Sequence, residues 1–136
     1  MFRVVGNTYN VQKVLLEEVA QAAFSYLGLT EATIELKFVS EREIIRLNTV
    51  YRHKKAATDV LSFNIDDKPL LGQVFICYTF TKRSAKALNK PFNDEVALLL
   101  AHGILHVAGY DHELVSDEAN MQAAEKEILE RVGIVL

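Results

Sequence analysis

The stretch Thr33-Ile34-Glu35-Leu36-Lys37-Phe38-Val39-Ser40-Glu41-Arg42-Glu43 decides the fold. Its first seven residues alternate, with Ile34, Leu36 and Phe38 on one side and Thr33, Glu35 and Lys37 on the other. That period of two is the signature of a half-buried strand. The pattern then breaks. Ser40 stands three residues before Glu43, a capping box that opens a helix running to about Tyr51. A strand that hands over to a helix points to a mixed sheet with a crossover connection.

The neighbouring segments extend this reading. Residues 1–5 form a short first strand. Val11, Leu15, Val19, Ala22 and Tyr26 then recur at helical spacing, and Gly28 is a natural stop. Downstream, residues 52–58 read as a polar loop. Residues 60–65 and 73–77 read as two strands joined across Asp66-Asp67-Lys68-Pro69, which is turn chemistry. Three helices follow. The first covers 81–89. The second covers 93–108, strongly apolar through Val96, Leu99, Leu100, Ile104 and Leu105, and Gly109 ends it. Ser116 caps the third, which carries Asp117 and Glu118 in its first turn, as the helix dipole favours, and closes near Gly133. The prediction is an α+β fold: a mixed four-stranded sheet with a helical layer packed on one face, as one domain over residues 1–136.

Composition narrows the function classes. A chain of 136 residues fits one domain and buries a real core without staples. Half its residues are hydrophobic and 24% are charged, which is globular rather than disordered. A single cysteine excludes an internal disulfide, a zinc ribbon and a Cys-x-x-Cys redox pair. Cys77 itself lies in an apolar strand and reads as an inert buried thiol. Residues 1–7 lack the apolar stretch of a signal peptide, and the apolar run 96–101 is far short of the roughly 20 residues of a membrane span. A reducing cytoplasm is the expected setting. Neither a Gly-x-Ser-x-Gly elbow nor a phosphate-cradling glycine loop occurs. The net charge of -3 excludes coating nucleic acid by bulk charge. That mean hides an asymmetry: residues 1–90 hold 13 bases and 9 acids, residues 91–136 hold 2 and 9. A basic half therefore precedes an acidic one, which leaves room for a local anion groove with a shallow salt dependence.

Chemistry concentrates in Ala101-His102-Gly103-Ile104-Leu105-His106-Val107-Ala108-Gly109-Tyr110-Asp111-His112. His102 and His106 are four apart on the apolar helix and share a face. Two imidazoles so placed can converge on one metal ion. Gly109 tolerates positive φ, so the chain can leave the helix and double back to bring His112 to the same ion. Three histidine ligands leave a fourth zinc position open, the pattern of catalytic rather than structural zinc. The spacing matches the skeleton of the metzincin peptidases, with one exception. The residue after the first histidine, where those enzymes carry their glutamate base, is Gly103. Asp111 and Glu113 flank the third ligand and are candidate bases, Asp111 more readily as a partner that orients an imidazole. His53 has no such company and reads as a solvated loop residue.

A second constellation spans residues 37–55, where six bases (Lys37, Arg42, Arg46, Arg52, Lys54, Lys55) face two acids (Glu41, Glu43). It reads as a phosphate-binding groove, with Arg52 suited by its planar fork. Thr58 and Asp59 are expected to pin the loop rather than do chemistry. Phe63, Phe75 and Phe80 are core candidates, though one exposed near Arg52 would suit base stacking.

Together these segments resemble the YbeY family of rRNA maturation endoribonucleases. The carrying residues are Asn48, Tyr51-Arg52, Thr58 to Phe63, His102-Gly103-Ile104-Leu105-His106 and Gly109 to Glu113, with Met121 and Glu125 in the last helix. The resemblance implies a metallohydrolase-like fold and one zinc ion held by His102, His106 and His112. It also implies Arg52 and His106 as catalytic residues, single-stranded RNA as substrate, and work on the 3′ end of 16S rRNA and in ribosome quality control with the small ribosomal subunit. Two positions depart from the pattern. Asn64 stands where the family commonly has proline, and Gln73 where it commonly has an acid. The rival classes are a zinc peptidase, which shares the histidines but lacks the glutamate, and a non-catalytic ribosome-associated protein with structural zinc.

Overall fold

Ser40 caps as its spacing requires. Its hydroxyl oxygen accepts the Glu43 N–H at 3.1 Å, and helix α2 (Glu41–Arg52) starts there. The computed structural model describes residues 1–110 and 115–136, with side chains from Asp117 onward in the second stretch. Chain order is β1 (Phe2–Val5), α1 (Lys13–Leu27), β2 (Thr33–Val39), α2, β3 (Val60–Asp67), β4 (Leu70–Cys77), α3 (Tyr78–Ala87), α4 (Phe92–Val107) and α5 (Val115–Arg131). The sheet runs β1-β2-β4-β3. β1 and β4 are both parallel to β2, and β3 pairs antiparallel to β4 at the edge. This is the mixed four-stranded sheet that the sequence predicts.

Alternation along the strands sorts side chains to two faces. Ile34, Leu36 and Phe38 of β2 and Val74 and Ile76 of β4 join the main core with Leu16 and Val19 of α1, Leu100 and Ile104 of α4, and Ile128 of α5. On the opposite face Val39, Leu61 and Cys77 form a smaller cluster with Ile44 and Leu47 of α2, and Phe63 and Phe75 pack against it. Helices therefore cover both faces rather than the one expected: α1 joins α4 and α5 in the main layer, and α2 packs behind the sheet, because β2 and β4 present apolar side chains on both sides. Beside α2 that second face is polar. Arg3, Glu35 and Gln73 stand in one register row, and both flanking side chains donate to the Glu35 carboxylate, at 2.7 and 3.1 Å.

Two glycines bring α4 close to the sheet. A Cβ at Gly103 would lie 2.6 Å from a methyl of Val74, and one at Gly72 would lie 2.4 Å from a methyl of Val107 and 2.5 Å from the Phe63 carbonyl. Only hydrogen at both positions permits this approach, and it fixes the histidine-bearing turns of α4 against β3 and β4.

Several boundaries move for tertiary reasons. β3 and β4 run deeper into the turn than alternation predicts and are joined by Lys68-Pro69, because Asp67 pairs with Leu70 across a register shift. α3 starts at Tyr78, three residues early. Tyr78 stacks on Tyr9 at 4.9 Å and meets Phe92 edge-on at 5.3 Å, and the Thr81 hydroxyl donates to the Cys77 carbonyl. α5 starts at Val115, one residue before the Ser116 expected to cap it. Among the described residues no helix is long and apolar enough to cross a membrane.

Candidate active site

His102 and His106 occupy successive turns of α4, with ring centroids 5.8 Å apart and planes tilted by 57°. The Nδ1 of His102 lies 2.8 Å from the Glu125 Oε1 on α5. A carboxylate accepts hydrogen bonds, so Glu125 is placed to orient the His102 ring through Nδ1. This is the second-partner geometry that fixes the tautomer and orientation of a metal-binding imidazole. The Glu125 side chain is 12% exposed, that of His102 30%. Among the described residues no three metal-ligating side chains gather. His112, and with it Asp111 and Glu113, lies outside them.

The end of α4 behaves as Gly109 predicts. Gly109 has φ +105°; its N–H donates to the His106 carbonyl, and the Tyr110 N–H donates to the Leu105 carbonyl, each at 3.0 Å. That pair of bonds is the Schellman ending of a helix. The turn also has an anchor that the sequence did not suggest. Asn64 on β3 donates from Nδ2 to the Val107 carbonyl at 2.8 Å. Proline, the residue expected at this position from the resemblance, has no side-chain donor and could not make this tie between β3 and α4. At the other departing position, Gln73 sits opposite Glu35 and donates to it; an acid would place two carboxylates face to face.

Arg52 approaches from the other layer, at the last position of α2. Its Nη2 donates to the Ser62 carbonyl on β3 at 2.8 Å, and its Cζ lies 5.2 Å from the Phe63 ring centroid. The guanidinium is thus oriented by a backbone acceptor and an aromatic face while the residue stays exposed. The following loop is tied down. Asn48, only 6% exposed, donates from its side-chain amide to the Ala56 carbonyl at 2.9 Å, and its backbone carbonyl accepts the Lys54 N–H at 3.1 Å. Asp59 accepts the Val60 N–H at 2.8 Å and the Thr58 hydroxyl at 3.3 Å, contacts between chain neighbours at the start of β3. His53 is exposed with φ +58°, in the left-handed turn that ends α2. Cys77 is buried.

Around the edge strand the two layers meet. A cleft of about 510 Å³ is lined by Asn48, Arg52, Lys54 and Thr58 from the basic loop and by His102 and His106 from α4. A second groove of about 380 Å³ shares Arg52, Ser62 and His106 with it and adds Tyr51, Phe63 and Asn64. The fold therefore brings Arg52 and two of the three expected ligands into one cleft, although some fifty residues separate them in sequence. Glu125 is the neighbour whose role sequence reasoning missed. The available signal was its position four residues after Met121, which is 2% exposed: a carboxylate on the buried face of a helix needs a partner.

Comparison with known proteins places the chain in a family. The profile of the endoribonuclease YbeY family matches residues 5–133. An endoribonuclease YbeY from Methylocella silvestris is 38% identical over 127 residues, covering 90% of this chain and 71% of that protein. One from Persephonella marina is 34% identical over 130 residues, covering 90% and 85%. The solution structure of a Thermotoga maritima protein shares the fold with a TM-score of 0.68 at 27% identity, covering 97% of this chain and 91% of that one. By the reach of the family profile and by these identities, the chain belongs to the YbeY family of endoribonucleases.

Proposed function

We propose that the cleft beside β3 hydrolyses phosphodiester bonds of single-stranded RNA in rRNA maturation, with one zinc ion held by His102, His106 and His112. The observation that carries this reading is the meeting of two imidazoles and the Arg52 guanidinium in one cleft. The donor set fits zinc: two imidazoles stand on successive turns of α4, and Glu125 orients one of them through its Nδ1. When bound, such an ion acidifies water and polarises a phosphoryl oxygen. The protein's own groups do the remainder. Arg52 binds the scissile phosphate with a guanidinium that Ser62 and Phe63 have already oriented, and it opposes the charge that builds in the transition state. Glu125 holds the His102 ring in register. Gly103 offers no base, and its contact with Val74 leaves no room for the glutamate of a peptidase.

The 3′ end of 16S rRNA, the small ribosomal subunit and a cytoplasmic setting complete the proposal. Two measurements on purified protein test it. Elemental analysis should find about one zinc per chain and its loss in His102→Ala. Cleavage of single-stranded RNA should collapse in Arg52→Ala and in His106→Ala. Undiminished cleavage in both variants would overturn the mechanism. Binding to ribosomal subunits that survives loss of the histidines, without any cleavage, would favour a non-catalytic role.

A further inference from the structure

Tyr51 is a large aromatic residue left 59% exposed beside the cleft, on the last turn of α2. Its ring is nonetheless held. It meets Phe63 edge-on at 5.3 Å and 62°, and Phe63 is braced in turn by Phe75 at 5.8 Å. Phe63 also carries the Arg52 guanidinium at 5.2 Å, so Tyr51 and Arg52 are positioned by one shared ring. The groove that Tyr51 lines opens onto the cleft through Arg52, Ser62 and His106.

We propose, on the ribonuclease reading above, that this second groove is a nucleobase subsite in which the base next to the scissile phosphate stacks on Tyr51 while Arg52 holds the phosphate. An exposed ring with a fixed orientation is a pre-ordered platform, and stacking it against a base loses little further freedom. Stacking accepts any base, because every base has a π face. The subsite therefore adds grip on single strands without reading sequence. In a duplex the same base is stacked and paired, so the groove discriminates against double-stranded RNA.

A coupling experiment tests this. Oligoribonucleotides of one sequence, each carrying an abasic site at a different position, are cleaved by the wild type, Tyr51→Ala and Tyr51→Phe. Tyr51→Ala should raise KM about tenfold, in line with the known worth of base stacking, with little change in kcat. Tyr51→Phe should keep the wild-type KM. One abasic position adjoining the cut should weaken the wild type about tenfold and Tyr51→Ala hardly at all. Equal sensitivity of the wild type and Tyr51→Ala at every position would overturn the subsite alone. If the wild type cleaves none of these RNAs, the ribonuclease reading falls and the subsite with it.

Discussion

Replacing Gly103 by alanine sets two effects of known size against each other. In a helix interior alanine is more favourable than glycine by about 1 kcal/mol. Here the added Cβ would lie 2.6 Å from Val74 Cγ1 and 3.0 Å from Cγ2. Val74 is fully buried, and as a β-branched side chain it has no easy rotamer to retreat into. Overpacking of this kind costs about 1–3 kcal/mol. The net expectation is a loss of about 1 kcal/mol, a fall in Tm of about 4 °C for a chain of this size. Urea denaturation followed by circular dichroism measures it, with the midpoint lowered and the m-value unchanged. The same substitution in a Val74→Ala background should reverse sign. The clashing methyls are then gone, and the new methyl fills the space they leave. The pair should thus show a favourable coupling of about 1–3 kcal/mol. Stabilisation by Gly103→Ala alone, or an equal effect in both backgrounds, would refute the close packing of α4 on β4. With it would go the physical reason why a peptidase glutamate is absent there.

Other outcomes follow from single contacts. Glu125→Ala should weaken zinc binding about 10- to 100-fold in a chelator competition, because His102 loses the acceptor on Nδ1, whereas Glu125→Gln should keep much of the affinity. Asn64→Ala should cost about 0.5–1.5 kcal/mol in urea denaturation by freeing the Val107 carbonyl. Arg52→Lys should fold with unchanged stability yet cleave RNA poorly, since an ammonium cannot reproduce the planar fork. The Glu43 carboxyl is held below its usual range, first by the hydrogen bonds that Arg46 donates. Its small stabilisation is full above the unfolded carboxyl's pKa and is lost as pH falls through the lower folded value. The pair is largely exposed, so Arg46→Ala should lower the melting temperature only slightly at pH 7 and less still at pH 3.

The parts of the fold that local chemistry dictates could be read in the sequence. The alternation of Thr33–Val39, the Ser40 cap and the glycine stops at Gly28 and Gly109 each carry their own physics within a few residues. The boundaries that shifted depend on distant partners. α3 begins at Tyr78 because Tyr9 and Phe92 meet it there, and no local pattern announces that stack. The same division holds at the cleft. His102 and His106 were visible through helical spacing, and Arg52 through the basic run. Glu125, Asn64 and Gln73 were not interpretable, because their partners lie 23, 43 and 38 residues away. Nor could the sequence place α2 behind the sheet, the arrangement that lets Arg52 reach around β3 to face α4.

The central claim is that this cleft cleaves RNA with a zinc ion held by histidines. Its most direct test is the rate of single-stranded RNA cleavage by protein stripped with a chelator and then titrated with zinc. Cleavage should vanish on stripping and return in full at about one zinc per chain, and it should not return in His106→Ala. Undiminished cleavage by the stripped protein, or recovery in His106→Ala equal to the wild type, would contradict it.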